Sequence, residues 1–220
     1  MSTTQPRSAH HRSAIRPWMV GAVIAVIVIV IAAFNVKVVS LDDVAAENAA
    51  QQFDPVAFVD ENFDSVIVPD IEDNAVDLAT LLTDLAGGAD EADFGNTSGA
   101  SSAYAFPVTF TGVAGDLKAP VLPVTVAGVP EGTTVQVQVG PAVSGTALRD
   151  VTGTVDFNDF ENQLEYQNAA GELNNRVKTE VLANFDAAAA AGKTITVTGA
   201  FLRVNPSLVS VVPISIEVAP

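Results

Sequence analysis

Carboxylates are the most abundant chemical resource of this chain: 26 of its 220 residues are acidic. Fifteen of them fall between Leu41 and Phe94, and adjacent pairs recur at Asp42-Asp43, Asp60-Glu61, Glu72-Asp73 and Asp90-Glu91. Paired carboxyl groups cleave glycosides when they face each other about 5 to 10 Å apart across a pocket, and they hold calcium when several oxygens converge. Neighbours in sequence point in different directions, and nothing recognisable brackets any pair, so these acids read as a solvated face. The spaced Asp-x-Asp-x-Asp-Gly pattern of a calcium loop is absent, as are Gly-rich phosphate loops and nucleophile elbows. The two histidines, His10 and His11, precede a long apolar run, which leaves the remainder without an imidazole for proton transfer, nucleophile activation or metal ligation. No cysteine is present, hence no thiolate and no disulfide. The expectation is a protein that is not an enzyme, with no metal site and no cofactor.

One polar cluster is richer than solvation alone requires. Arg149-Asp150 is followed by Asn158, Asn162, Gln163, Glu165, Tyr166, Gln167 and Asn168. Asn is a mediocre helix former, and a merely wet helix face is more cheaply built from Glu and Lys. An amide both donates and accepts, which suits hydroxyl-rich ligands or the backbone of a partner. Arg149, Asp150, Asn158, Asn162 and Gln163 are therefore the candidate ligand- or partner-binding residues. The competing reading is structural: Asn158 caps a helix, Arg149 and Asp150 form a turn pair, and the other amides tie helix to sheet or face water.

The elements that must position this cluster follow from periodicity. Period-two patterns predict strands over Phe106–Gly112, Val121–Ala127, Thr133–Val139, Thr194–Phe201 and Val209–Val218. Gly115-Asp116, Pro130-Glu131-Gly132 and Asn205-Pro206-Ser207 supply turns. A long helix capped by Asn158 or Asp159 is predicted between the third and fourth strands, with Phe160, Leu164, Leu173, Val177, Val181 and Phe185 on one face and a bend at Gly171. The fold class is therefore mainly β with helices. Five strands with a helix after the third is the order of an oligonucleotide- and oligosaccharide-binding (OB) barrel, although an open meander under a covering helix prints the same pattern. Upstream, residues 40–86 read as an acidic helical segment. Its expected helices are Asp42–Gln52, one opened by Asp54-Pro55 and closed by Pro69, and one from Glu72 or Asp73 to Leu85 stopped by Gly87-Gly88. Residues 87–104 read as a linker or loop, and 105–220 as the barrel-like domain.

Location is the clearest inference. Trp18 to Phe34 carries no charge and follows Arg7, Arg12 and Arg16. Seventeen residues at about 1.5 Å each cover roughly 26 Å, and Val36, Val38 and Val39 extend the run toward the roughly 30 Å of a hydrocarbon core. Residues 18–39 are thus a single-pass signal anchor to the cell membrane, with residues 1–17 as a basic cytoplasmic tail and the main domain extracytoplasmic. A cleaved secretory signal is the competing reading. Beyond Phe34 seven basic residues face 26 acidic ones, a formal charge of −19, which disfavours nucleic acid as a partner.

Thr146-Ala147-Leu148-Arg149-Asp150, Phe157 to Gln163, Gly192-Lys193-Thr194, Gly199-Ala200-Phe201 and Val212-Pro213-Ile214 together resemble a bacterial family, the domain of unknown function 2291 family of predicted periplasmic lipoproteins. Phe53-Asp54-Pro55 to Pro69 and Ala75 to Leu82 resemble its acidic helical half. The resemblance implies no catalytic residues. It implies an accessory role near sugar ABC transporters, with the transporter or its substrate-binding protein as partner. The family label presumes a lipidated cysteine; here the anchor helix is expected to replace it. Two functions follow as expectations: a membrane-anchored extracytoplasmic accessory protein associated with a sugar ABC transporter, or a small-ligand domain that binds sugar or calcium.

Overall fold

Five strands, alternating along much of their length, form a closed barrel. The computed structural model describes residues 53–99 and 102–219, and all of these belong to one compact unit. The barrel strands are β2 (Ala105–Ala114), β3 (Val121–Val126), β4 (Thr134–Gln138), β5 (Thr194–Leu202) and β6 (Leu208–Val218), preceded by a two-residue β1 (Val76–Asp77). Around the barrel the order is β2-β3-β4-β6-β5, and β5 pairs back onto β2. Closure excludes the open meander. All neighbours are antiparallel except β4 and β6, which run parallel. This is the OB strand order.

Inward side chains fill the barrel: Phe106, Val108 and Phe110 from β2, Leu122 from β3, Val135 and Val137 from β4, Ile195 and Val197 from β5, and Val209 and Val211 from β6. Helix α3 (Leu78–Ala86) joins this core through Leu78, Leu81, Leu82 and Leu85. The opposite faces of β2, β5 and β6 are also covered where Ala105, Ala200, Val212 and Ile214 meet helices. Those stretches lose their alternation and read as continuous apolar runs, as strands buried on both faces do. Gly199 permits one close approach. A Cβ there would lie 2.2 Å from the Val212 carbonyl oxygen, beside the register shift between Thr198 and Gly199.

The helical half departs from expectation in two places. Helix α1 (Pro55–Asn62), capped by Asp54, does not stop at Pro69; it passes through a π-turn (Phe63–Ile67) into α2 (Val68–Asn74). In that turn the Val68 N–H reaches back to the Phe63 carbonyl. The wider turn places Pro69 at the start of a fresh α-helical segment, where its missing N–H costs nothing. The next helix does not begin at residue 72 or 73. Residues 76–77 leave the helix to pair in parallel with Val108 and Thr109 of β2, and Asp77 then caps α3 by accepting from the Thr80 N–H at 2.9 Å.

Residues 87–99 are fastened to the barrel: the Asn96 N–H and carbonyl pair with Ala105, and Phe94 packs against the interior cluster. The segment between β4 and β5 is not one helix from residue 158 to 185. It comprises α4 (Ala147–Asp150), a 3-10 turn (Phe157–Asp159), α5 (Gln163–Arg176), a π-turn (Val177–Val181) and a closing 3-10 turn (Leu182–Asn184). Its buried stripe is Tyr166, Ala169, Ala170, Leu173 and Val177, whereas Leu164 is 65% exposed. Gly171 lies within the α-helix rather than at a break. The expected anchor at 18–39 and the expected helix at 42–52 lie outside the described residues. Among the described residues no helix is long and apolar enough to cross a membrane.

Candidate functional site

Arg149 and Asp150 occupy a single helical turn that the rest of the fold pins in place. Ala147 and Leu148 are buried where that turn packs against α5, β5 and β2. Asn174 of α5 donates to the Gly145 carbonyl at 2.9 Å, and Asn96 donates to the Val151 carbonyl at 2.6 Å, so α4 is held at both ends. The two charged side chains are only 5% and 3% exposed and form an ion pair, Arg149 Nε to Asp150 Oδ1 at 2.7 Å.

Two neighbours, Thr146 and Tyr166, complete the arrangement. Thr146 Oγ1 donates to Asp150 Oδ2 at 2.6 Å, and Arg149 Nη1 donates to the Tyr166 carbonyl at 3.1 Å. The guanidinium carbon sits 3.4 Å from the centroid of the Tyr166 ring, a cation–π stack on top of the ion pair. Tyr166 is fixed in turn by an edge contact with Phe157 and a tilted one with Phe160, at centroid separations of 5.5 and 5.2 Å. Burial pushes the Tyr166 hydroxyl above its ordinary pKa; Arg149 opposes that shift and the Asp150 charge adds to it. The phenol therefore stays protonated near neutral pH, as a donor.

This pair floors a cleft of about 450 Å³ walled by Ser98, Ser102, Thr146, Phe157, Gln163 and Tyr166, with Leu202 and Val204 on one side. Phe157 leaves 42% of its surface open to solvent and Val204 leaves 79%. Among the described residues Arg149 Nη2 has no hydrogen-bond partner. Asp150 Oδ1 accepts from Arg149 Nε and, at 3.4 Å, from the Tyr166 hydroxyl, whereas Oδ2 accepts from Thr146 alone and keeps lone-pair capacity. A net-neutral floor thus offers donor and acceptor side by side, next to an aromatic face.

Of the five predicted residues, Arg149, Asp150 and Gln163 converge on this cleft, and Asn158 and Asn162 do not line it. Asn158 bonds Asp156 Oδ1 at 2.6 Å within its own exposed turn. Asn162, not Asn158, caps α5: its Oδ1 accepts from the Leu164 and Glu165 N–H groups at 3.0 and 3.1 Å, and its Nδ2 donates to Glu165 Oε1. Both amides are used up locally, for the reason that Asn favours caps and turns. Thr146, Ser98 and Ser102 also line the cleft, with no signal in the sequence, and so does Tyr166, which belongs to the polar cluster but not to the five candidates. The spacing Tyr166, Ala169, Leu173, Val177 is the signal that could have set that tyrosine on the inward face.

Among the described residues no group of three or more His, Cys, Asp or Glu side chains could hold a metal ion. No curated protein matches the chain. A solved structure described as an OB-fold protein from Thermotoga maritima matches with a TM-score of 0.60 over 76% of this chain and 99% of that one. At 20% identity that likeness shows the fold alone. The profile of a family described as predicted periplasmic lipoprotein (DUF2291) matches residues 24–217. That description agrees with an extracytoplasmic, membrane-associated place for the barrel, and the chain belongs to the DUF2291 family.

Proposed function

We propose that the chain is a non-catalytic accessory protein on the outer side of the membrane, and that the Arg149 cleft is its working part, a binding site for a small hydroxyl-rich ligand such as a sugar. The observation that carries this reading is the buried Arg149–Asp150 pair presented at the floor of an open cleft beside an exposed phenylalanine ring. Vicinal hydroxyls both donate and accept, so they match an arginine N–H and a carboxylate oxygen set side by side, while the C–H face of a pyranose covers an aromatic ring. Calcium is less well served, because Asp150 is the lone carboxylate in the cleft and already accepts from Arg149 and Thr146. In this proposal residues 18–39 hold the barrel at the membrane beside a sugar ABC transporter or its substrate-binding protein, the context implied by the family.

The ligand reading is tested on the full chain in lipid nanodiscs, by calorimetric titration with methyl glycosides of glucose, galactose, mannose and xylose. Saturable binding of at least one, weakened at least tenfold by Gln163→Ala, is expected; heat equal to that of empty nanodiscs for all of them overturns it. The partner reading is tested by affinity purification from native membranes with the transporter expressed. Recovery without transporter or binding-protein subunits rejects it.

A further inference from the structure

A second depression adjoins the cleft. It holds about 270 Å³ and is lined by Ala147, Leu202, Val204, Leu208 and Val212, with Gln138, Ser144, Asn205 and Ser210 at its edge. Leu202 and Val204 line both hollows, so the two form one continuous surface that turns around the start of the β5–β6 connection. Their chemistry differs. Polar atoms at the edge of the second hollow are engaged with one another: Gln138 Nε2 donates to the Ser144 carbonyl at 3.1 Å and its Oε1 accepts from the Ser144 N–H at 2.8 Å. Ser210 Oγ accepts from Gln136 Nε2 at 3.1 Å, and Asn205 Oδ1 accepts from the Ser207 N–H at 2.9 Å. Ser144 and Asn205 are exposed at the rim, and between them lies uncovered aliphatic surface, with Val204 and Leu208 79% and 36% exposed.

We propose that the second hollow receives an apolar aglycone, so that the ligand is an amphiphilic glycoside whose sugar sits over Arg149 and Asp150 and whose alkyl or aryl substituent lies along Val204 and Leu208. The inference rests on the sugar-site reading and goes beyond it by assigning the other half of the ligand. A second sugar ring is disfavoured in the hollow, since its hydroxyls lose water and find most edge groups already bonded. An alkyl chain loses nothing by the exchange and removes aliphatic surface from water.

The test is a chain-length series, methyl, butyl and hexyl glycosides of one sugar, titrated into the full chain in nanodiscs with empty nanodiscs as the partition control. A methyl disaccharide is titrated in parallel. Burying a methylene is worth about 0.8 kcal/mol, so affinity is expected to rise about twofold to fourfold per methylene, the lower figure for a chain that is half covered. Leu208→Ser is expected to shrink the ratio of hexyl to methyl affinity. Equal affinities along the series, or a gain with the disaccharide and none with the alkyl chain, overturn this inference and leave the sugar reading standing. Absence of binding by every glycoside overturns both.

Discussion

Arg149→Met is the most informative single change. Methionine keeps an apolar stem against the Tyr166 ring but removes two hydrogen bonds of a charged donor, at 2.7 Å to Asp150 and 3.1 Å to the Tyr166 carbonyl. Asp150 then retains the Thr146 hydroxyl and a long 3.4 Å contact from the Tyr166 hydroxyl, and its side chain remains 97% enclosed by a fold that has not changed shape. Removing one partner of a buried pair costs about 3 to 5 kcal/mol, and two charge-assisted hydrogen bonds at about 1.5 to 3 kcal/mol each give the same range. In a unit of this size about 1 kcal/mol moves Tm by about 2 to 4 °C, so the loss is about 6 to 20 °C. Chemical denaturation of the purified full chain, followed by far-ultraviolet circular dichroism, measures it. Asp150→Leu combined with Arg149→Met removes both charges and is expected to recover much of the stability that the single change loses. A single variant within about 1 kcal/mol of wild type, or a double variant as unstable as the sum of the two singles, refutes the view that this pair is buried and mutually dependent.

Three further outcomes are expected. Asn162→Ala removes the α5 cap and costs about 1 kcal/mol by urea denaturation, while glycoside affinity stays within about twofold because Asn162 does not line the cleft. Burial, then the neighbouring Asp73, raises the Asp70 carboxyl above its ordinary pKa against a lowering hydrogen bond from Asn74. The native state then holds that proton more tightly than the unfolded chain, so wild-type stability falls as pH rises from about 3.9 through the raised value. Asp70→Asn is accordingly more stable than wild type at neutral pH, and the gap narrows below about pH 3.9 when both are unfolded in urea. Gly199→Ala drives a Cβ to 2.2 Å from the Val212 carbonyl oxygen and destabilises by about 3 kcal/mol or more, read as a lowered Tm or as loss of soluble protein.

The strands were legible because their signal is local: Thr134, Gln136 and Gln138 alternate with Val135 and Val137 whatever surrounds them, and Val108 with Phe110 already named the interior face. Strand order around one inserted helical segment was enough to suggest the barrel. What sequence could not reach depends on contacts far along the chain. The switch from helix to strand at Val76 exists because β2 offers an edge there. The π-turn ahead of Pro69 is a rearrangement of hydrogen bonds that no periodicity encodes. The inward register of α5 turns on Tyr166, which is not among the residues predicted on the apolar face, and the apolar Leu164, which is among them, is the exposed residue. Arg149, Asp150 and Gln163, which share one cleft, stand out in sequence as charged and amide residues against composition; Asn158 and Asn162 stand out equally, but turn and cap hydrogen bonds engage them.

Each barrel strand has a partner on both sides: β5 runs along β2 from Ala105 to Val113, β3 takes over the other edge only at Gly112 to Ala114, and β1 and Asn96 lie along the stretch between. Among the described residues the short β1 strand is therefore a clasp over part of the long β2 edge that barrel closure leaves bare. With that edge taken, a partner protein has little backbone ladder to extend, and strand addition is a poor route to assembly. Recognition by this fold has to be written in side chains, and specificity should then be alterable one residue at a time without disturbing the barrel beneath.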